Sequence, residues 1–148
     1  MEEQASLSRA SRLLGYAGIA PQAICVALVA SGHEYAPIAL ATGVAYAAAI
    51  FSFLGGVWWG QAITSRKAGA DAYIVAIMPS LLAVGLFVSS IFGWEPALLV
   101  LGTLILLSPM VDQALGFAAP DFLKLRWHLS AGLGGLTIAL GLAAEAMV

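Results

Sequence analysis

Few side chains of this sequence could do chemistry, and Asp112 is the acid with the most candidate partners nearby in the chain. It ends a long apolar run, and two cations, Lys124 and Arg126, follow a short distance along the chain. A carboxylate at the edge of an apolar region pairs readily with such a cation, here Arg126 or Lys124, or with Arg66 and Lys67 of another connection. No second carboxylate or metal ligand stands beside it. We therefore predict a structural ion pair, with Asp112 and Arg126 as the candidates.

Histidine and cysteine give weaker grounds for a site. His33 and His128 fall at opposite ends of the helices predicted for this chain, so they cannot share a metal ion. His128 alone could be an axial ligand to a haem or a chlorophyll-type pigment, but its position beside Trp127 favours an anchor at a membrane surface. Cys25 is the single cysteine, which excludes a disulfide framework. We predict no catalytic residue, no metal site and no enzyme activity.

A group of polar and aromatic residues could line a ligand vestibule at one end of the helices. The candidates are Gln22, Trp58, Trp59, Gln61 and Ser80. Two of them directly follow prolines, which interrupt helical hydrogen bonding and bend helices. Aromatic walls with a few polar groups are typical of small-ligand sites between helices. The alternative is an aromatic belt at the membrane surface combined with ordinary packing.

The composition identifies lipid as the solvent of this chain. Of its 148 residues, 61% are hydrophobic and 9% are charged, whereas soluble domains carry about 25% charged residues. A compact body of this length could not hide so much apolar surface from water. The net charge of −2 gives no attraction for nucleic acid phosphates. These values exclude a soluble enzyme domain, a disordered tail and a nucleic-acid-binding protein.

Uncharged runs divide the chain into membrane-spanning helices. A helix crosses the hydrocarbon core with about 20 apolar residues. We predict one all-α domain over residues 1–148, with five spans at about 13–31, 37–63, 72–92, 96–114 and 127–147. Pro21 and Pro79 fall inside spans and predict kinks. The mixed apolar and charged segment 112–126 suits an interfacial loop or a short helix.

All six basic residues fall on one side of this arrangement. They are Arg9, Arg12, Arg66, Lys67, Lys124 and Arg126. The other side carries the acids Glu34, Glu95 and Glu145. Because Lys and Arg near span ends stay in the cytoplasm, we predict a cytoplasmic N-terminus and a periplasmic C-terminus in a bacterial inner membrane. Tyr46 alone among the Trp and Tyr residues falls at mid-membrane, where its hydroxyl needs a partner.

Small residues along the second span indicate how the helices pack. In lipid, helices associate by close approach of small side chains and by hydrogen bonds. The small residues recur at spacings of three or four and form one stripe: Thr42, Ala45, Ala49, Ser52, Gly56 and Gly60. The stripe would pack inside the bundle, so that Gly56→Leu disrupts folding, or it would form a seam for a second copy or a partner protein. We prefer the first alternative.

A family resemblance rests on several motifs of this sequence. The most specific is Ser-Phe-Leu-Gly-Gly-Val-Trp-Trp-Gly at 52–60, supported by Leu-Gly-Tyr-Ala-Gly at 14–18, Pro-Ser-Leu-Leu at 79–82, Asp112, and Leu-Lys-Leu-Arg at 123–126. With these motifs the chain resembles the domain-of-unknown-function 3429 family, which is related to the eukaryotic organellar transmembrane protein 69. The resemblance implies a five-span bacterial inner-membrane protein and carries over no catalytic residue. Many members are expected to have histidine where this chain has Trp58, so no ligand role is implied for that position here.

The predicted function follows from what such a chain can offer within a membrane. No charge lies deep in a span, which argues against a proton- or sodium-coupled transporter. Contacts of its helices with other helices in the membrane remain the main interaction that such a chain can make. We expect a non-enzymatic accessory, assembly or stabilising subunit, with membrane lipids and another integral membrane protein or a second copy as partners. The alternative is a binder or carrier of a small apolar or amphipathic ligand in the vestibule. We predict no cofactor, and bound lipid fits the composition.

Overall fold

The structure, a computed structural model, describes residues 8–93 and 96–147. Its helices are α1 (Arg9–Ala17), α2 (Ala20–Ala30), α3 (Ala36–Thr64), α4 (Ala70–Ile91), α5 (Ala97–Leu115) and α6 (Pro120–Glu145). Because α1 and α2 form one apolar segment, five segments of the described chain are long and apolar enough to cross a membrane. The predicted five-span all-α fold is confirmed. Glu95, predicted on the acidic side, lies outside the described residues.

The two ends of the bundle differ in the charges that they carry. The basic end holds Arg12, Arg66 and Lys124, and the acidic end holds Glu34 and Glu145. Alternating helix directions place the start of α1, the α3–α4 connection and the α5–α6 connection together at the basic end. The prediction that the basic end faces the cytoplasm rests on the distribution of Lys and Arg.

The first spanning segment is interrupted at Gly18 and Ile19, between α1 and α2. Pro21 stands in the first turn of α2, and it has no N–H group to continue the hydrogen-bond ladder from α1. The hydroxyl of Tyr46 on α3 donates to the carbonyl oxygen of Gly18. This mid-membrane tyrosine thus obtains its partner from the backbone that the interruption exposes.

The helix α3 is the centre of the bundle and packs against α2, α4, α5 and α6. A buried apolar cluster joins its inward face to its neighbours and consists of Ala47, Ala48, Phe51, Leu54, Ala83, Leu101, Ile105 and Leu133. A second cluster lies nearer the acidic end and consists of Cys25, Val29, Ala36, Ala39, Val44, Leu98 and Leu140. The predicted central position of the second span therefore agrees with the structure.

The tightest helix contacts form where glycine lets two backbones approach. A Cβ atom built on Gly134 of α6 would lie 2.8 Å from the carbonyl oxygen of Gly102 on α5. A Cβ atom on Gly102 would lie 2.9 Å from the carbonyl oxygen of Gly134. On α3, a Cβ atom at Gly55 would collide with the carbonyl oxygen of Ala76 on α4. Glycine thus sets the separation of both helix pairs, as close packing in lipid requires.

The predicted small-residue stripe is not the face by which α3 packs inside the bundle. Its exposed members are Thr42, Ala45, Ala49, Gly56 and Gly60. A Cβ atom at Gly56 or Gly60 would meet nothing within 4 Å. Small residues occur on several faces of this Ala- and Gly-rich helix, and adjacent positions such as Gly55 and Gly56 point about 100° apart. The preferred alternative and the expectation for Gly56→Leu are corrected accordingly: the packing glycine is Gly55.

The segment predicted as an interfacial loop or a short helix is mostly helical. The helix α5 runs to Leu115 and ends where Gly116 adopts a left-handed conformation with φ of 69°, which glycine adopts without steric cost. The helix α6 begins at Pro120, whose missing N–H costs nothing in a first turn. Asp112 and Arg126 consequently lie on two helices joined by the short connection 116–119, and a helix sets the backbone position of each residue.

Candidate functional site

Asp112 lies in the last turn of α5 with its side chain facing the bundle, and the residue is 1% exposed. The indole Nε1 of Trp58 on α3 donates to Oδ1 of Asp112 at 2.8 Å. The guanidinium Nε of Arg126 on α6 donates to Oδ2 at 2.9 Å. Each carboxylate oxygen therefore accepts a hydrogen bond from a different helix.

Ser108 connects the guanidinium of Arg126 to the backbone of α5. Nη2 of Arg126 donates to Oγ of Ser108 at 3.1 Å, and Oγ of Ser130 lies 3.2 Å from the same atom. The Ser108 hydroxyl donates in turn to the carbonyl oxygen of Ile105 at 2.7 Å. That carbonyl lacks its ordinary helical donor because position 109 is Pro109, which has no N–H. One hydroxyl thus repairs the backbone of α5 and holds Arg126.

Asp112, Arg126, Trp58, Ser108 and Ser130 form what we call the buried polar cluster. One carboxylate faces one guanidinium, so the buried charges balance. Both carboxylate oxygens accept hydrogen bonds and the residue is 1% exposed, so Asp112 lacks the substrate access that a general base needs. The arrangement joins α3, α5 and α6, and removing Asp112 or Arg126 would leave the other as a buried charge without its partner. Its geometry is that of a structural link.

The other basic residues that the sequence offers as partners of Asp112 lie outside the buried polar cluster. Nζ of Lys124 is 3.9 Å from Oδ1 of Asp121 one turn away, and both side chains are well exposed. Arg66 is exposed in the α3–α4 connection, and Lys67 lines a separate cleft at the basic end. Among the alternatives left open by the sequence, the structure pairs Asp112 with Arg126.

Two of the five residues proposed for a vestibule lie in separate helix contacts. Gln22 is fully buried, and its Nε2 donates to Oγ1 of Thr137 on α6 at 3.1 Å. Ser80 on α4 lies with its hydroxyl 2.9 Å from the hydroxyl of Ser52 on α3. These pairs are hydrogen bonds across two different helix interfaces, α2 with α6 and α3 with α4.

The remaining three candidates point in different directions from the basic end of α3. Trp58 enters the buried polar cluster, whereas the Trp59 ring packs edge-on against Tyr73 of α4 with ring centroids 5.0 Å apart. Gln61 faces a cleft of about 560 Å³ between the α3–α4 connection and the end of α5. Trp58 and Trp59 are adjacent and diverge by about 100°, whereas Gln61 lies one turn beyond Trp58 and lines the cleft. The structure therefore does not bring the five residues together.

The cleft beside Gln61 has a polar rim and is open to the basic end. Its lining consists of Gln61, Thr64, Ser65, Lys67, Gly69, Asp71, Ala72, Ala114, Leu115, Gly116 and Phe117. Oε1 of Gln61 is buried without a hydrogen-bond partner, as is Oε1 of Gln22 in the middle of the bundle. In the part of the chain that the structure describes, these are the only buried side-chain polar atoms left unpaired.

The two histidines are far apart in sequence and lie at opposite ends of the bundle. Nδ1 of His33 accepts from the backbone N–H of Tyr35 at 3.3 Å. Nδ1 of His128 on α6 lies 3.0 Å from the hydroxyl of Tyr16 on α1. No cluster of three or more His, Cys, Asp or Glu side chains that could hold a metal ion occurs within residues 8–93 and 96–147.

Sequence reasoning missed the parts played by Trp58, Ser108 and the contact between Tyr16 and His128. A usable signal existed for Trp58: two consecutive tryptophans point about 100° apart, so on a central helix one of them faces the bundle, where its indole N–H needs an acceptor. Ser108 directly precedes Pro109, and a hydroxyl there can serve the carbonyl that the proline strands. The Tyr16 contact had no comparable signal in the sequence.

The comparisons with known proteins give one result. The sequence model of a family described as "Protein of unknown function (DUF3429)" matches residues 7–143. No curated protein and no solved structure matches this chain.

Proposed function

We propose, from the premise that this chain belongs to the DUF3429 family of proteins of unknown function, that it is a non-enzymatic accessory subunit that docks on another integral membrane protein. The observation that carries the proposal is the exposed face of α3. The central helix of the bundle leaves a stripe of small residues uncovered by any described part of the chain: Thr42, Ala45, Ala49, Gly56 and Gly60.

The shape of this stripe suits a second helix better than lipid chains. A Cβ atom at Gly56 or Gly60 would meet nothing within 4 Å, so a partner backbone has room to approach. The spacing of Ala45 from Ala49, and of Gly56 from Gly60, is the small-xxx-small pattern by which membrane helices pack closely. Phe53 projects between these pairs and is 66% exposed, which provides a large side chain to insert into a partner surface.

The exposed face of α4 provides a contrast within the same molecule. It carries large branched side chains, and its exposed members include Ile74, Ile77, Leu81, Val84 and Val88. Such side chains fill the space between lipid chains and are usual on a lipid-facing surface. On α3 the exposed large apolar side chains are Ile38, Phe53, Trp59 and Ile63, whereas the exposed residues between 39 and 52 are all small. This small-residue stretch supports a protein contact on α3, and the large side chains of α4 support lipid there.

The remaining parts of the proposal rest on charge. The buried polar cluster has no free acid or base, which supports a non-enzymatic role. The gathering of Arg12, Arg66 and Lys124 at one end supports a cytoplasmic N-terminus, and with it a position in a bacterial inner membrane.

The experiment compares leucine substitutions at two equally open glycines. Gly56 is on the stripe, and Gly85 is on α4, where a Cβ atom also meets nothing within 4 Å. The full chain is purified in mild detergent, and co-purifying integral membrane proteins are identified by mass spectrometry and by photo-cross-linking from position 49, the site of Ala49.

The expected result is that one membrane protein cross-links to position 49 and is lost from Gly56→Leu but retained by Gly85→Leu. Both variants should unfold at the wild-type temperature. A wild-type protein that migrates as a bare monomer without a cross-linked partner would refute the proposal. A cross-link only to a second copy of the chain would replace it with a homo-oligomer.

A second candidate function, binding of a small amphipathic ligand, is favoured by the open cleft of about 560 Å³ that Gln61 lines together with Lys67 and Asp71. Because the cleft is rimmed by Lys67 and Asp71, the ligand would present a polar group there. Purified protein is examined by native mass spectrometry for a retained small molecule. Gln61→Leu should lose it, whereas Gln113→Leu, at an exposed position of α5, should keep it.

A further inference from the structure

A small polar cleft lies at the basic end between α1 and the start of α6, apart from the buried polar cluster. It has a volume of about 310 Å³ and is lined by Arg12, Tyr16, Asp121, Lys124, Leu125 and His128. The Tyr16 hydroxyl and Nδ1 of His128, 3.0 Å apart, join the two helices. The cleft is therefore built from side chains of two separate spanning segments.

The cleft carries an excess of positive charge that no described residue neutralises. Its fixed charges are Arg12 and Lys124 against Asp121, which leaves one positive charge when His128 is neutral. Lys124 lies 3.9 Å from Asp121, and their side chains are 78% and 49% exposed. An ion pair at that distance and exposure contributes little, so the ammonium group can turn to another anion. Arg12 makes no salt bridge with any residue in the described ranges.

The height of the cleft corresponds to the boundary between lipid headgroups and hydrocarbon. Tyr16 is 46% exposed and Trp127, next to His128, is 40% exposed, and such half-exposed aromatic side chains mark this level. Beside the cleft on α1, Leu13 and Leu14 are 69% and 73% exposed. A cationic pocket therefore stands directly against an apolar surface, which fits a ligand with an anionic head and apolar chains.

We propose that this cleft binds the headgroup of an anionic glycerophospholipid. The phosphodiester oxygens accept hydrogen bonds from the guanidinium of Arg12 and the ammonium of Lys124. The hydrogen-bonded pair of Tyr16 and His128 forms the wall, and the acyl chains lie over Leu13. Basic pockets between membrane helices are a recognised form of lipid headgroup site. This site is independent of the partner surface on α3.

The test measures lipid binding by the full chain in detergent with native mass spectrometry. Phosphatidylglycerol is compared with phosphatidylcholine of identical acyl chains, and inorganic phosphate is added as a competitor. The double variant Arg12→Gln with Lys124→Gln is compared with Arg9→Gln with Arg66→Gln, which removes two exposed basic residues at the same end that do not line this cleft.

The expected result is a preference of the wild type for phosphatidylglycerol that the first double variant weakens about thirtyfold. The second double variant should change the affinity less than about threefold, because its charges lie outside the cleft. Equal weakening by both double variants, or equal binding of the two lipids, would overturn the proposal. Complete displacement of the lipid by inorganic phosphate would also overturn it, by showing a site for free phosphate.

A measurement on the wild-type protein tests the proposal even where the variants fail to fold. Phosphatidylglycerol with a photoreactive group in its acyl chain should cross-link to α1 near Leu13 and Leu14. Cross-links confined to other helices would contradict the proposed placement of the lipid.

Discussion

The substitution Asp112→Asn removes the negative charge from the buried polar cluster and keeps the shape of the side chain. Arg126, a residue that is 7% exposed, is then a buried charge without a counter-ion. The N–H₂ group of the new amide is itself a donor, so it cannot accept from either Arg126 or Trp58. Removing one partner of a buried pair costs about 3–5 kcal/mol. We expect the free energy of unfolding to fall by that amount.

The substitution Arg126→Gln should cost a similar amount, because it leaves Asp112 charged and buried. The double variant replaces both charges with amides, which can hydrogen-bond to one another. Its remaining cost is imperfect pairing with Trp58 and Ser108, about 1–3 kcal/mol. The double variant should therefore be more stable than the sum of the single effects implies by at least about 3 kcal/mol.

The assay is equilibrium unfolding in mixed micelles of dodecyl maltoside and sodium dodecyl sulfate, followed by circular dichroism of the helices. Lys124→Gln is the control, because its exposed pair with Asp121 should contribute at most about 1 kcal/mol. Single variants that each lose less than about 1 kcal/mol, or a strictly additive double variant, would refute the structural link.

Three further predictions use the same unfolding assay. Gly134→Leu should lower the free energy of unfolding by about 3 kcal/mol or more, because its side chain collides with the α5 backbone. The control Gly135→Leu, at an open neighbouring position, should change it by less than about 1 kcal/mol. Equal effects of the two variants would contradict the assigned packing face of α6. Trp58→Phe should cost about 2–3 kcal/mol by removing the indole donor to a buried carboxylate, and an unchanged midpoint would remove Trp58 from the cluster. Tyr46→Phe should cost about 1 kcal/mol by leaving the Gly18 carbonyl without its donor, and no loss would show that this carbonyl is already satisfied.

The number of spanning helices could be predicted from the sequence because charge placement along a chain is a one-dimensional property. Arg66 and Lys67 mark a connection wherever their side chains point. The packing face of α3 depends instead on rotation about the helix axis. Gly55 and Gly56 are the same residue type at adjacent positions, yet only Gly55 packs against the α4 backbone. A sequence rich in small residues leaves that rotation undetermined.

The site was predictable to the extent that it depends on local geometry. Asp112 and Arg126 are brought together by one short connection, so their pairing was among the few possibilities that the sequence offered. Trp58 reaches them from a distant part of the chain, and its direction is fixed only when α3 packs. The vestibule was predicted from residue types near one end. It did not form because Gln22 and Ser80 lie in other helix contacts and because Trp58 and Trp59 diverge around α3.

The proximity of Asp112 and Arg126 in the chain has a consequence for how the protein enters the bilayer. The two residues are 14 positions apart, so the α5–α6 hairpin carries its own counter-ion. If this hairpin closes first, the two charges are paired without another helix, which avoids the cost of placing an unpaired guanidinium in hydrocarbon. Biogenesis that delivers α5 and α6 as a pair avoids this barrier, whereas separating them, by lengthening the connection at Gly116, would restore it.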